Sequence, residues 1–346
     1  MTTTVRELAL IESLTRQFAR SPRQINALQE SDAELLTLGN GITLAVTTDT
    51  IAEEIATGLY ANPWLAGWMT VMANLSDIAA VGAEPLGILI AETFPAGTDP
   101  AVLSRVQEGI GDACQACGTW VLGGDTNAGE HLQITGTAVG MVTGGAALTR
   151  KGIGPGDHIY CTGPLGGGNA FAAMLLAGKP VCLPFRPVAK LHEGVALRGL
   201  ASACMDTSDG LMATLDQLGR VNHVGFEMAP DWQAALDAAA LNCSRETGLP
   251  AWLFLAGPHG EFELVFSVPR AIAPAAGAPA PVDGKSCRYI GRAIAHERIV
   301  LPGVGSFDAT HRTAIRNLEP PDGKSMQTYI AELLGIGVSA QDSTES

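Results

Sequence analysis

Aromatic residues make up only 5% of the 346-residue chain, basic residues are outnumbered 21 to 35 by acidic ones, and no apolar run reaches membrane-spanning length. The last shortage argues against a transmembrane helix, which needs about 20 apolar residues in succession. Scarce basic residues and a net charge of −14 argue against a nucleic-acid or anionic-membrane surface, and no basic patch interleaved with aromatics offsets them. Residues 1–20 mix charge with apolar residues and lack the continuous hydrophobic region of a signal peptide. Seven cysteines form no paired framework, which fits a reducing cytoplasm. Cys114 and Cys117 are the closely spaced pair, yet they fall on an expected helix with no neighbouring His, so packing explains them better than metal or redox chemistry. No internal repeat of solenoid period is present.

What is abundant is Gly, Ala and well-separated Asp. The length suits two α/β domains, with a Gly/Pro cluster at Gly152–Asp157 setting the boundary near residue 150, a second domain over 151–320, and a polar tail over 321–346 that is partly disordered beyond Gly337. Val5, Leu8, Ile11, Leu14 and Phe18 recur at helical spacing and predict an amphipathic N-terminal helix that packs on the body or on a partner. Residues 41–50 read as a strand delivering Asp49 at its end, and Pro63 to Val81 as a largely buried helix. On that helix Asn74 and Asp77 share a face within apolar surroundings. A buried carboxylate there must be paired, hydrogen-bonded or cation-bound; capping a neighbouring loop is the plainer alternative.

The same theme recurs downstream. Thr119 to Thr126 predicts a strand running into a Gly-rich turn that carries Asp125, and Met205 to Leu211 places Asp206 and Asp209 just before a helix. The glycines at Gly163 and Gly166–Gly168 precede a helix from Asn169; their spacing matches no phosphate-binding fingerprint, so tight strand-to-helix packing is the reading adopted. Residues 260–268 alternate as a strand with Glu261 and Glu263 on one face, and His259 before it reads as a surface loop residue or a candidate ligand. Ala271 to Pro281 reads as a flexible loop. Asp32, Asp49, Asp77, Asp125, Asp206 and Asp209 would repel one another if they converged, and two or more Mg²⁺ ions would relieve that while neutralising nucleotide phosphates. Arg150 and Lys151 could add direct phosphate contacts. The sum is a metal-rich phosphoryl-transfer site built without a P-loop.

Thr48-Asp49, Asn74-Leu75-Ser76-Asp77, Gly82-Ala83-Glu84-Pro85, Gly123-Gly124-Asp125-Thr126, Arg150 with Gly154–Asp157, Thr162-Gly163 and Asp206–Leu211 together resemble the thiamine-monophosphate kinase family, a branch of the superfamily that includes aminoimidazole ribonucleotide (AIR) synthetase. The resemblance spans about residues 32–292. It implies a two-domain α/β (α+β) AIR synthetase-like fold, with N-terminal strands joining a partner's in a dimeric barrel, and a homodimer holding Mg-ATP between domains. Carried over by motif, it implies metal ligands at Asp32, Thr48, Asp49, Asp77, Asp125 and Asp209, with Asp125 and Asp209 nearest the chemistry. It further implies nucleotide contacts at Gly124, Arg150 and Ser208.

Three segments depart from the family. Its Gly-Asp-Asp-Ala-Ala is here Glu30-Ser31-Asp32-Ala33-Glu34, its Glu-Gly-Val-His is Glu53-Glu54-Ile55-Ala56, and its Gly-Gly-Glu-Asp-Tyr-Glu-Leu is Pro258-His259-Gly260-Glu261-Phe262-Glu263-Leu264. The nucleotide half is kept and the acceptor half is altered. Glu53, His259 and Glu261 are therefore expected to line a changed acceptor pocket for a small, phosphorylated biosynthetic intermediate. The alternatives are an AIR synthase-related enzyme of another pathway and a non-catalytic nucleotide-binding dimerisation module.

Overall fold

The computed structural model describes residues 3–179, 185–319, 321–322 and 325–342. In chain order the first part runs α1 (Arg6–Thr15), β1 (Glu34–Gly39), β2 (Ile42–Thr50), α2 (Ala52–Thr57), α3 (Pro63–Ala80), β3 (Glu84–Pro95), α4 (Pro100–Ala116), β4 (Val121–Gly129) and β5 (Gln133–Thr143). It continues with β6 (His158–Cys161), α5 (Gly167–Leu176), α6 (Leu191–Leu197), β7 (Ala203–Asp206), α7 (Leu211–Asn222), β8 (Gly225–Met228), α8 (Ala238–Thr247), α9 (Leu253–Ala256) and β9 (Leu264–Val268). The last elements are β10 (Ala280–Val282), β11 (Lys285–Ile294), β12 (Ile299–Leu301), β13 (Gly305–Phe307), α10 (Ala309–Arg316) and α11 (Met326–Asp342). This is the mixed α/β architecture expected from the sequence. The strands form two sheets, β1-β2-β5-β3-β4 and β13-β12-β8-β11-β6-β9-β7, with β10 added alongside β11.

α3 is the helix around which the first half is built. Asn62 caps it by accepting the Trp64 N–H at 3.0 Å, Pro63 fills the first turn where a missing donor costs nothing, and Gly82 at φ +68 ends it. Its side chains are buried almost all round, sandwiched between the first sheet and α4. The contact with α4 is close because two glycines face each other's helix. A Cβ on Gly67 would lie 2.1 Å from the Val106 carbonyl oxygen, and one on Gly109 2.0 Å from that of Trp64. Cys114 and Cys117 on α4 are free thiols in this packing, both pushed up to about 11 by burial, which leaves them inert.

Several expectations are corrected. The glycines after Thr119 make no turn: β4 continues through Gly123, Gly124 and Asp125 to Gly129, paired in parallel with β3. Gly124 is required there because a Cβ would sit 1.8 Å from the Ile90 carbonyl oxygen across the ladder. β9 starts only at Leu264, since Phe262 takes a left-handed φ of +61 and Gly260 packs against the Thr207 backbone, so Glu261 and Glu263 do not share a strand face. His259 is buried rather than on the surface. The segment beyond Gly337 is helical to Asp342, anchored by Leu333 and Ala340 in the second core; its last four residues lie outside the described ones. α1 buries none of its residues and leaves Leu10 and Leu14 exposed, although its start is tied to the body through Asn317. No helix among the described residues is long and apolar enough to cross a membrane.

Candidate active site

Strand alternation puts Thr47 and Asp49 on one face of β2 and Thr48 on the other. α3 lies across the first face. Asn74, fully buried, accepts the Asp49 N–H at 3.1 Å and donates to the Thr70 carbonyl at 2.8 Å, so the amide on this apolar helix fixes the end of β2. One turn on, Asp77 accepts a hydrogen bond from the Thr47 hydroxyl at 2.5 Å. From the second sheet, β7 ends at the buried Asp206, which accepts from Ser76 of α3 at 2.6 Å and from the Ser208 hydroxyl at 2.9 Å. Asp32 completes the group, ion-paired with Arg150 at 3.0 Å. Asp32, Asp77 and Asp206 can each offer one oxygen such that all three atoms lie within 4.8 Å of one another.

Four acids with one guanidinium between them are electrostatically frustrated. Burial, then the charges of Asp49, Asp206 and Asp32, hold Asp77 well above the usual carboxylate range. Burial and then Asp32 push Asp206 up to about 7, and Asp49 is raised by burial, with Asp32 contributing. Carboxylates crowded out of water in this way are relieved by a cation, and an all-oxygen donor set suits a hard divalent one.

The other expected residues fall in different places. Thr48 donates to the Gly136 carbonyl at 2.8 Å on the far face of the sheet, away from Asp77, so the threonine beside the acids is Thr47. Asp125 stands on the exposed edge strand β4, hydrogen-bonded by Asn127 at 2.6 Å and apart from the buried acids, next to Gly124. Arg150 is committed to Asp32, Ser208 to Asp206, and Lys151 is an exposed side chain 3.5 Å from Glu30. Asp209 lines a cleft of about 470 Å³ together with Glu53, Glu54, Asn169, His259 and Arg316.

Acidic side chains, His259 and two arginines, Arg6 and Arg316, line that cleft together. Glu54 keeps one buried oxygen with no hydrogen-bond partner among the described residues, and burial, then the nearby charges of Glu53, Asp209 and Asp49, push it up to about 6. His259 is hydrogen-bonded through Nε2 to the Tyr60 hydroxyl at 3.0 Å, and burial lowers it to about 4, so it is uncharged at neutral pH. Its backbone is fixed by Asn169, whose Oδ1 accepts the His259 N–H at 3.0 Å. Glu261 does not join Glu53 and His259: it lies across α5, donating nothing to this cleft and accepting the Gly166 N–H at 2.7 Å. The Gly-rich segment before α5 is therefore closed by a protein carboxylate, in line with tight packing.

Sequence reasoning left Thr47 out of the site, although alternation along β2 was the available signal. Asp206 stood among the acids expected to converge but not among the metal ligands the resemblance implies, and Glu54 lay in the altered segment Glu53–Ala56 without being singled out.

Residues 30–142 match the family described as AIR synthase related protein, N-terminal domain. A thiamine-monophosphate kinase of Methanospirillum hungatei is 36% identical over 253 residues, covering 68% of this chain and 79% of the relative. The Escherichia coli K12 thiamine-monophosphate kinase is 32% identical over 249 residues, covering 69% and 75%. Among solved structures, AaThiL complexed with AMPPCP and TMP superimposes with a TM-score of 0.71 at 23% identity, covering 86% of this chain and 95% of the other, which shows a common fold. At 32–36% identity over 75–79% of these relatives' length, the chain belongs to the thiamine-monophosphate kinase family of AIR synthase-related proteins.

Proposed function

We propose that the protein is a Mg²⁺- and ATP-dependent kinase that phosphorylates a small, already phosphorylated acceptor, with thiamine monophosphate, the substrate named for its relatives, as the nearest candidate. The observation that carries this reading is the trio Asp32, Asp77 and Asp206, which can each offer an oxygen within 4.8 Å of the others, with Arg150 as their one ion-pair partner among the described residues. Asp32, Asp77 and Asp206 would hold Mg²⁺, with Asp49 and Asp209 adjoining; when bound, the metal neutralises phosphate charge that an acidic protein would otherwise repel. The chain's own residues do the orienting. Asn74 and Thr47 fix Asp49 and Asp77, Ser76 and Ser208 fix Asp206, and the cleft walled by Asp209, Glu54 and His259 receives the acceptor, so catalysis rests on positioning and charge neutralisation.

The reading divides the chain near residue 150 into a nucleotide- and metal-binding domain and a second domain over 151–320, with 321–346 as a C-terminal segment. It includes a cytoplasmic homodimer. β4 is exposed along its whole length, with exposed Val121 and Leu122 at its start and Trp120 just before it, an apolar strand edge of the kind that pairing with a second copy covers. Such pairing would bring Gly124 and Asp125 into an interface. Light scattering should give twice the chain mass of 35.8 kDa, and a monomer at micromolar concentration would refute this part.

The deciding experiment follows ADP formation from ATP with thiamine monophosphate, with and without Mg²⁺. Acceptor-dependent ADP formation that EDTA abolishes is the expected result. ATP binding unchanged by EDTA would overturn the metal assignment. The altered lining at Glu53, Glu54 and His259 leads us to expect a kcat/KM for thiamine monophosphate below about 10⁴ M⁻¹s⁻¹, the lower end of the ordinary enzymatic range.

A further inference from the structure

Both arginines of the acceptor cleft are engaged by glutamates that can swing away without disturbing any packing. Arg316, the last residue of α10, has a side chain only 8% exposed; its Nη1 donates to the Ala213 carbonyl on α7 at 3.3 Å, and its Nη2 donates to Glu7 at 3.1 Å. Glu7, in the first turn of α1, is 61% exposed. Arg6 repeats the pattern at the mouth of the cleft, where it pairs with Glu319 at 3.3 Å and both side chains are largely exposed. Ion pairs with a solvated carboxylate hold weakly, because solvent screens them and long side chains must be kept in one geometry. α1 buries none of its residues. Its start is tied to the body through other contacts, from Asn317 to the Arg6 N–H at 2.8 Å and to the Thr4 carbonyl at 2.9 Å, and from Arg220 to the Thr3 carbonyl at 3.2 Å. Glu7 is therefore spare to the fold.

Arg316 also acts on the acids. Burial raises the Asp209 carboxyl above its ordinary range, and of the charges that offset this Arg316 counts for more than Arg150. A phosphorylated acceptor entering here meets Glu53, Glu54 and Asp209, which repel it, and needs a cation on the cleft side as well as the metal beyond. A guanidinium offers a planar fork of N–H donors that fits two oxygens of a phosphate, and a glutamate carboxylate presents the same fork with the same kind of acceptors. Glu7 thus stands where a phosphate would bind. We propose that Arg316, assisted by Arg6, is the binding residue for the acceptor's phosphate, which displaces Glu7 and is thereby set beside Asp209. The assignment rests on the reading of this cleft as the acceptor's place. The same lining includes Tyr329, Ile330 and Leu333 of α11, an apolar surface for the rest of the molecule, so an aryl phosphate is a suitable probe.

Calorimetry with phenyl phosphate, in EDTA so that no metal holds the anion, tests the site, with phenol as the matched compound lacking the phosphate. We expect phenyl phosphate to bind one per chain, phenol to bind at least tenfold more weakly, Arg316→Ala to weaken phenyl phosphate at least tenfold, and Glu7→Ala to tighten it at least twofold. The Glu7 variant carries the test if Arg316→Ala fails to fold, since a lesion that merely loosens the structure would weaken binding rather than improve it. No binding of phenyl phosphate to the wild type, equal affinity for phenol, wild-type affinity in Arg316→Ala, or unchanged or weaker binding in Glu7→Ala would each overturn the proposal. Absence of ADP formation alongside phenyl phosphate binding that responds to both variants would sink the kinase reading and leave the anion site standing.

Discussion

The buried acids and the acceptor cleft lie side by side but are built differently. Three of the four acids stand on regular elements, Asp49 at the end of β2 against Asn74, Asp77 on α3 beside Thr47 and Asp206 at the end of β7 beside Ser76 and Ser208, while Asp32, in the bend before β1, is held by Arg150. The cleft is walled by α2, the loop at Gly257–His259 and the segment after α10 as well as by α5, α9 and α11, and one of its carboxylate oxygens, on Glu54, has no hydrogen-bond partner among the described residues. On the proposed function, the hydrogen-bonded acids would serve the nucleotide's metal and the cleft with its unpartnered oxygen the acceptor. The difference also says where substitutions should hurt most.

Asp77→Asn is expected to have the largest effect. It removes a charge from the group that would hold the metal, and turnover should fall at least about a hundredfold, with nucleotide affinity losing its dependence on Mg²⁺; activity within about threefold of wild type would remove the distinction between the two regions. Next comes acid sensitivity on the cleft side. Burial lowers His259 from 6.5 to about 4, so the unfolded chain takes up its proton first as pH falls. The stability this His contributes is complete above pH 6.5 and is lost progressively toward pH 4, by about 3 kcal/mol at most. Urea titrations of wild type and His259→Gln at pH 7 and pH 4.5 should show a smaller acid loss in the variant; parallel losses would mean that His259 is protonated in the fold.

Gly109→Ala probes the platform under the acids. Its Cβ would meet the Trp64 carbonyl oxygen at 2.0 Å and force α3 and α4 apart, costing about 1–3 kcal/mol in stability, readable as a lower melting temperature. Glu54→Gln should change acceptor KM by about tenfold with little change in ATP KM. A kcat loss with both KM values untouched would move Glu54 out of acceptor recognition. Smallest is the pair Arg6–Glu319, 3.3 Å apart with both side chains largely exposed: Glu319→Ala should alter stability by less than about 0.5 kcal/mol.

What could be read from the sequence follows the same division. α3 was bounded almost to the residue by Pro63 and Gly82, and β2 by its alternation, because local punctuation and periodicity set both. The acids on them could be listed from their apolar neighbours. Local pattern misled where long-range contact decides. Gly123 and Gly124 look like a turn but are in a strand, since the glycine answers to Ile90 on β3. Glu261 and Glu263 look like one face of a strand, but Phe262 turns left-handed between them and sends Glu261 to the Gly166 N–H ahead of α5. The end of α11 beyond Gly337 was read as disordered because its anchor, Ala340, is meaningful only against a core formed elsewhere.

The hydrogen bond from Ser76 to Asp206 spans 130 residues of chain. During synthesis, α3 leaves the ribosome long before β7 exists, so the Ser76 hydroxyl must find water or a provisional partner until the second sheet arrives. The nascent N-terminal half therefore completes its contacts only when Asp206 docks. A stalled chain released before that residue should be a substrate for chaperones and proteases, whereas one released after α7 should not.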